Sequence, residues 1–422
     1  MSKKFTTIIV LSILLVILWN GFSNSYTSRN IGNLAYVLAL GIDKGEKAKM
    51  KISAQFMKSA AFSPGSESSS ENAKNMVLVS GEANSIFSGL NLLNSYIGKE
   101  LNLAHCSVII FSEEFAKEGI ASEVYSLINN EEVQLISNLV ISKCSAYDYL
   151  DNSNPNLEEM TVKYYDTFSI TSRFTGYISN ITIGDFYNTF SEQGCSSTAI
   201  LGGLNSTARQ EDSQKSSSQS SQEQNYVIIN PEDLTAGTSS VVGKRGTENI
   251  GIAVLKNGSF CGELTAIESI CHLLITNKVD SCVLTIDSPI ISNKKMEIQL
   301  FPNKKTNIFV DIKKDKIYIS VKLDLNADIL SLAEHSNYES KENLDKVSKS
   351  AEDYLNNQFK NYFNKISKEY GSDIDCFCMK AYKYFSTIPE WESFNWTEKF
   401  KDAEFNTDIN VNVTSSLLLT ET

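Results

Sequence analysis

The last third of the chain restricts the fold more than any other stretch. Met296, Ile298 and Leu300 alternate with polar residues, as do Ile308, Val310 and Ile312, and then Ile317, Ile319, Val321 and Leu323. Successive side chains of a strand point to opposite faces, so a period of two predicts half-buried strands. Turns at Pro302-Asn303 and Lys314-Asp315 separate the three runs, which predict an antiparallel meander with one buried face. The period then changes. Leu344, Val347, Ala351, Leu355, Phe359, Phe363 and Ile366 recur at spacings of three and four, the stripe of an amphipathic helix over residues 341–370. Gly371 stands where a left-handed cap would end that helix. Phe405, Thr407, Ile409, Val411 and Val413 return to the strand period. Strands packed by one long helix make residues 288–422 an α+β unit.

The first half alternates strands with short helices. Residues 35–40 are apolar and lead into the turn Gly41-Ile42-Asp43-Lys44-Gly45, after which 49–57 alternates, so the two predict a hairpin. A polar patch at 63–75 reads as a loop before a strand at 76–80. Ile86, Leu90 and Leu93 predict a helix over 85–96. An unbroken apolar strand at 106–111 stops at Ser112-Glu113-Glu114, where a hydroxyl and two carboxylates suit the positive end of a helix. Helices at 113–117 and 120–128 and a strand at 134–142 follow, the alternation of an α/β unit. The Ser/Gln-rich tract at 205–225 has too little apolar area to offset chain entropy and reads as a loop or linker. Beyond it the strand signal resumes at 226–230 and again at 251–255, where Asn257-Gly258 predicts a tight turn to 259–261.

At the amino terminus, Lys3 and Lys4 precede a run from Phe5 to Phe22 that carries no charge. About 18 such residues are just enough to cross a bilayer as a helix, and the flanking lysines favour a cytoplasmic start. Residues 1–25 are therefore expected to be a signal or anchor, kept uncleaved, with the body outside.

Composition removes other classes. In 422 residues, 38 Lys+Arg against 50 Asp+Glu leave a net charge of −12, which argues against nucleic acid and against anionic lipid as partners of the body. The length suggests two or three domains. Only three histidines are present, few for general bases or zinc ligands. His105 precedes a buried strand, His272 lies in an apolar helical run and His335 in a polar loop, and each reads as structural. No P-loop, dinucleotide fingerprint or nucleophile elbow occurs. Glu263 and Glu268 are the best carboxylate pair and read as solvated surface residues. The eight cysteines are sparse and irregular and read as buried thiols, with one or two disulfides left open. The aromatic segment Trp391, Phe394, Trp396 and Phe400 suits core packing or a recognition surface. No cofactor and no catalytic activity are expected.

Four stretches in order resemble the C subunit of bacterial spore germinant receptors, the Ger(x)C family. They are NLAYVLALGIDKG at 33–45, LAHCSVIIFSEEFAKEGI at 103–120, GIAVLKNGSFCGELTAIE at 251–268, and Asp373 to Cys376 with Trp391, Trp396 and Phe400. The positions that carry the resemblance are Gly41, Asp43, His105, Glu113, Gly119, Gly262, Glu268, Asp375, Trp391, Trp396 and Phe400, read as structural or interaction residues. One departure stands out. Members of this family are typically lipoproteins with a cysteine just after the apolar segment, whereas the first cysteine here is Cys106. A spanning helix would anchor the body as firmly as acyl chains. The resemblance implies three consecutive mixed α and β domains, at 26–188, 189–287 and 288–422. It further implies a non-enzymatic role, assembly with membrane A and B subunits in the spore inner membrane, and a response to small-molecule germinants. Capture of the germinant between the domains of this subunit is the alternative.

Overall fold

The computed structural model describes residues 5, 11–15, 33–57, 76–153, 161–205, 231–243, 245–331 and 340–414. β1 (Leu34–Lys44) and β2 (Met50–Met57) form the expected antiparallel hairpin, and β3 (Met76–Ala83) pairs with β2. α1 (Ile86–Ile97) is opened by reciprocal capping between Ser85 and Ser88 and closed by Gly98 in the left-handed conformation. β4 (Glu100–Asn102) and β5 (Val108–Ser112) run parallel to β1. α2 (Glu113–Glu118) and α3 (Ala121–Ile128) lead to β6 (Asn138–Ser142). α4 (Ala146–Asn152), α5 (Thr161–Asp166), α6 (Phe168–Thr175) and α7 (Ile183–Ser191) fill the longer connection to β7 (Ser197–Leu204). β8 (Thr247–Lys256) and β9 (Ser259–Leu264) form a hairpin through Asn257 and Gly258, both at positive φ as such a turn requires. The order in the sheet is β3-β2-β1-β5-β6-β7-β8-β9, with β4 beside the start of β1.

This sheet is covered on both faces, which is why β5 and β6 are unbroken apolar runs rather than alternating ones. On one face Ile42, Ile109, Phe111 and Ile141 meet Leu90, Phe115, Val124 and Phe186 of α1, α2, α3 and α7. On the other, Val108, Ile110, Val140 and Ile200 meet Tyr149, Leu150, Tyr165 and Phe168 of α4, α5 and α6. Gly41 makes the second contact close: a Cβ there would stand 3.0 Å from Leu150 Cδ1 and 3.1 Å from Ala146 Cβ.

α8 (Ala266–Thr276) is apolar all round and buried along almost its whole length between the two sheets. The second sheet holds β10 (Cys282–Asp287), β11 (Lys295–Pro302), β12 (Asn307–Lys313), β13 (Lys316–Ser331) and, after the helices, β14 (Glu404–Thr414). α9 (Lys341–Asn364) lays Val347, Ala351, Leu355, Phe359 and Phe363 on this sheet, ends in a π-helical turn at Lys365–Glu369, and Gly371 follows at φ +57. α10 (Cys378–Ala381), α11 (Ile388–Phe394) and α12 (Trp396–Lys399) then lead back to β14.

The second sheet is not the expected meander. β13 has 16 residues; its first half pairs with β12 and its second half with β11, both antiparallel. The alternation continues past Leu323 through Leu325, Ala327 and Ile329, so this strand is long enough for two partners on one edge. β14 runs parallel to β13 along the other edge. β10 carries the same signal in Cys282, Leu284 and Ile286, all buried. Residues 189–287, expected as a middle unit, supply β7, β8 and β9 to the first sheet and β10 to the second. The expected boundary at 188/189 therefore falls inside α7, whose chain runs on into β7 of the first sheet.

The loop at 63–75, the tract at 206–225, the strand expected at 226–230 and His335 lie outside the described residues, as does most of the expected anchor. Residues 11–15 are helical with exposed side chains. Among the described residues, no helix is long and apolar enough to cross a membrane.

Candidate functional site

The parallel strands β1, β5 and β6 end side by side, and at each end the apolar run gives way to polar residues. Asp43-Lys44, Ser112-Glu113-Glu114 and Lys143-Cys144-Ser145 meet there, joined by Lys51 of β2 and Glu82 of β3. Together they line a cleft of about 580 Å³. The carboxyl ends of parallel strands are where open α/β sheets form their ligand crevices.

Asp43 is buried beneath this cleft. It accepts the backbone N–H of Ala146 at 2.6 Å and of Tyr147 at 3.0 Å, so a residue of β1 caps the start of α4. Burial pushes its carboxyl above the ordinary value, while the two amides and Ser112 pull the other way. Several of the surrounding charges are paired. Lys44 lies 2.6 Å from Glu118, Glu113 pairs with Lys117, and Lys143 lies 3.0 Å from Glu263. Lys51 sits over the Tyr147 ring at 4.5 Å. Such a site orients polar groups by charges of both signs. Among the described residues, no group of three His, Cys, Asp or Glu side chains is arranged to hold a metal ion.

Most of the remaining motif residues gather elsewhere, at a seam where α8, β9 and the end of α9 meet the segment from Ser372 to Phe400. Glu268 closes the capping box of α8 with Thr265 and pairs with Lys365 at 2.7 Å. It is not the solvated surface residue expected, because the end of α9 covers it. Asp375 lies 2.8 Å from His272 Nδ1 and accepts the Tyr362 hydroxyl at 2.7 Å, deep in the core. Asp373 accepts from Phe377 N at 3.0 Å, Cys378 N at 2.8 Å and Trp396 Nε1 at 3.0 Å. Gly262 is forced by the Tyr370 ring, which a Cβ would meet at 2.3 Å. Trp391, Trp396 and Phe400 are buried and stack in sequence, so they pack the core. Beside them Cys195 and Cys376 form a disulfide, and the described cysteines other than these two are free.

His105 and Gly119 join neither group. His105 packs edge-on against Tyr36 at 4.9 Å, at the opposite end of β5 from the cleft. Gly119 turns the chain at φ +109 so that Ile120 N can donate to Gly258 O. Sequence reasoning missed Lys51 and Lys143 of the cleft. Lys143 is legible in retrospect as the first charged residue after an apolar strand.

Comparison with known proteins identifies the architecture. Residues 27–202 match the spore germination protein N-terminal domain, and residues 250–416 match the spore germination B3/GerAC like, C-terminal domain. The chain belongs to the Ger(x)C family of spore germination proteins. No curated protein matches it. Among solved structures it is similar to the crystal structure of the GerBC protein, with 15% identity and a TM-score of 0.51, over 89% of this chain and 96% of that one. At that identity the likeness speaks for the fold alone. In this Ger(x)C protein the N-terminal match ends within β7 and the C-terminal match begins within β8, and these strands are bonded to each other. The two family domains thus share one sheet.

Proposed function

We propose that this chain is the non-enzymatic C subunit of a spore germinant receptor, assembling with membrane A and B subunits so that nutrient germinants trigger germination. Its body stands on the extracytoplasmic side of the spore inner membrane, anchored through the uncharged run at 5–22. The observation that carries this reading is the pair of family matches, which together take in both sheets. The placement of the histidines supports a non-enzymatic role. Of the two described histidines, His272 is tied to Asp375 inside the core, whereas His105 is exposed and meets Tyr36 edge-on at the opposite end of β5 from the cleft. The −12 charge suits a body that has no need of anionic lipid beyond its anchor.

Deleting the chain in a strain that carries this receptor alone tests the proposal. Germinant-triggered loss of spore refractility should fail and return on complementation. Normal germination with unchanged levels of the partner subunits would overturn it.

A second reading, capture of the germinant by this subunit, is favoured by the cleft at the strand ends. Lys51, Lys143, Glu82 and Glu113 offer charges of both signs, which suit a zwitterion such as an amino acid. Calorimetric titration of the chain with amino acids separates the readings: saturable heat lost in Lys143→Met supports capture, and no heat supports assembly or relay alone.

A further inference from the structure

We propose that Cys195, Cys376 and Cys378 form a three-sulfur exchange site, in which the bridge from Cys195 passes between the two cysteines of the Cys376-Phe377-Cys378 turn. The bridge joins Cys195 to Cys376 across 181 residues, and Cys378 Sγ lies 3.1 Å from Cys195 Sγ. Cys195 is therefore in contact with both sulfurs of the turn.

Three elements hold the third sulfur there. The Asp373 carboxylate accepts the amides of Phe377 and Cys378, which folds residues 373–378 into a tight turn. Within that turn Cys376 adopts φ +53, the left-handed conformation that residues with a side chain seldom take. Gly194, at φ +98, brings the chain just before Cys195 against the turn: a Cβ on it would stand 3.1 Å from Cys378 Cβ. Trp396 and Trp391 lie 3.1 and 3.2 Å from the same point, so Gly194 is pressed against Cys378 and both rings.

The chemistry balances without an added oxidant or reductant. Cys378 gives up its proton and attacks Cys195 Sγ as the thiolate. The Cys195–Cys378 bond forms and the Cys195–Cys376 bond breaks. Cys376 leaves as a thiolate and takes up a proton. Burial, and with it the Asp373 carboxylate, holds the Cys378 thiol well above its ordinary value, so the attack draws on a small thiolate fraction that grows as pH rises. Throughout, the N-terminal family match stays stapled to the C-terminal one. What moves is the free thiol, from buried Cys378 to half-buried Cys376.

The full chain is held in iodoacetamide, sampled over time, quenched, unfolded in N-ethylmaleimide and cut with chymotrypsin, which cleaves after Phe377 and so separates the two cysteines. Mass spectrometry then locates the carbamidomethyl label. The site predicts label accumulating on Cys376 together with a trapped Cys195–Cys378 bridge. It also predicts that Cys376→Ser, treated with oxidised glutathione, bridges Cys195 to Cys378. Both results are required. Cys376 that never takes label, or a Cys376→Ser chain whose Cys195 stays alkylatable or carries glutathione instead of a bridge to Cys378, overturns the proposal.

Discussion

Ile200 of β7 pairs with Ile252 of β8, so the last strand of one family domain is hydrogen-bonded to the first strand of the other. The two halves of the protein are not beads on a linker. β8 and β9 complete the N-terminal sheet, and α8 then carries the core across to the second sheet.

A chain cut after residue 205 would expose β7 as a long edge, with its apolar faces partly uncovered. Open edges of this kind template pairing with other chains. Such a fragment should be insoluble or form soluble aggregates, and extending it through residue 276 should restore the monomer. Size-exclusion chromatography checks this, and a monomeric 26–205 fragment with a sharp melting transition would refute it.

Asp375→Ala should destabilise the fold by about 3 kcal/mol, because His272 and Tyr362 would each lose a buried partner. Urea denaturation reads the change. Since His272 is on α8 and Tyr362 on α9, the loss should also speed hydrogen exchange in both helices. An unchanged urea midpoint would show that the network contributes nothing.

Asp373 gives the protein a pH signature. Burial raises its carboxyl to about 7, against amides and an indole that oppose the rise. A carboxyl raised on folding favours the folded state while protonated. Its contribution is therefore full below the ordinary value of 3.8, declines as pH rises through the window up to about 7, and is level above that. The stability difference between the native chain and Asp373→Ala should shrink by a few kcal/mol across this window. Urea midpoints at pH 5, 6, 7 and 8 measure it. A difference that grows with pH would contradict the assignment.

Much of this fold is legible in the residues. Alternation places β11, β12 and β13, the three-four spacing places α9, and Gly371 marks its end. The limits have physical causes. Period two says that Leu325, Ala327 and Ile329 belong to a strand, but not that β11 and β12 would share one edge of it. The apolar run of β7 states that both its faces are buried, but not which strand lies beside it. The seam was harder still. Asp375, Trp391 and Trp396 are visible as motif positions, whereas the contacts of Asp375 with His272, and of Cys195 with Cys376, join residues far apart in sequence. Asp43 illustrates the same point: its place in a turn is legible, but its capping of a helix 103 residues on is not.

The anchor makes its own prediction. Replacing Ile13 or Leu15 with Asp puts a charge within an uncharged stretch, at a cost of about 3 kcal/mol near the centre of a bilayer. Either variant should release the chain from spore membranes or block its export. Fractionation with immunoblotting reads the outcome, and full retention in the membrane would contradict a single anchor at 5–22.

The central claim concerns partners, and capture from detergent-solubilised spore membranes tests it most directly. An affinity-tagged chain should bring down one A and one B subunit of a germinant receptor, identified by mass spectrometry and absent from an untagged control. Recovery of the tagged chain from spore membranes with neither subunit would contradict the account.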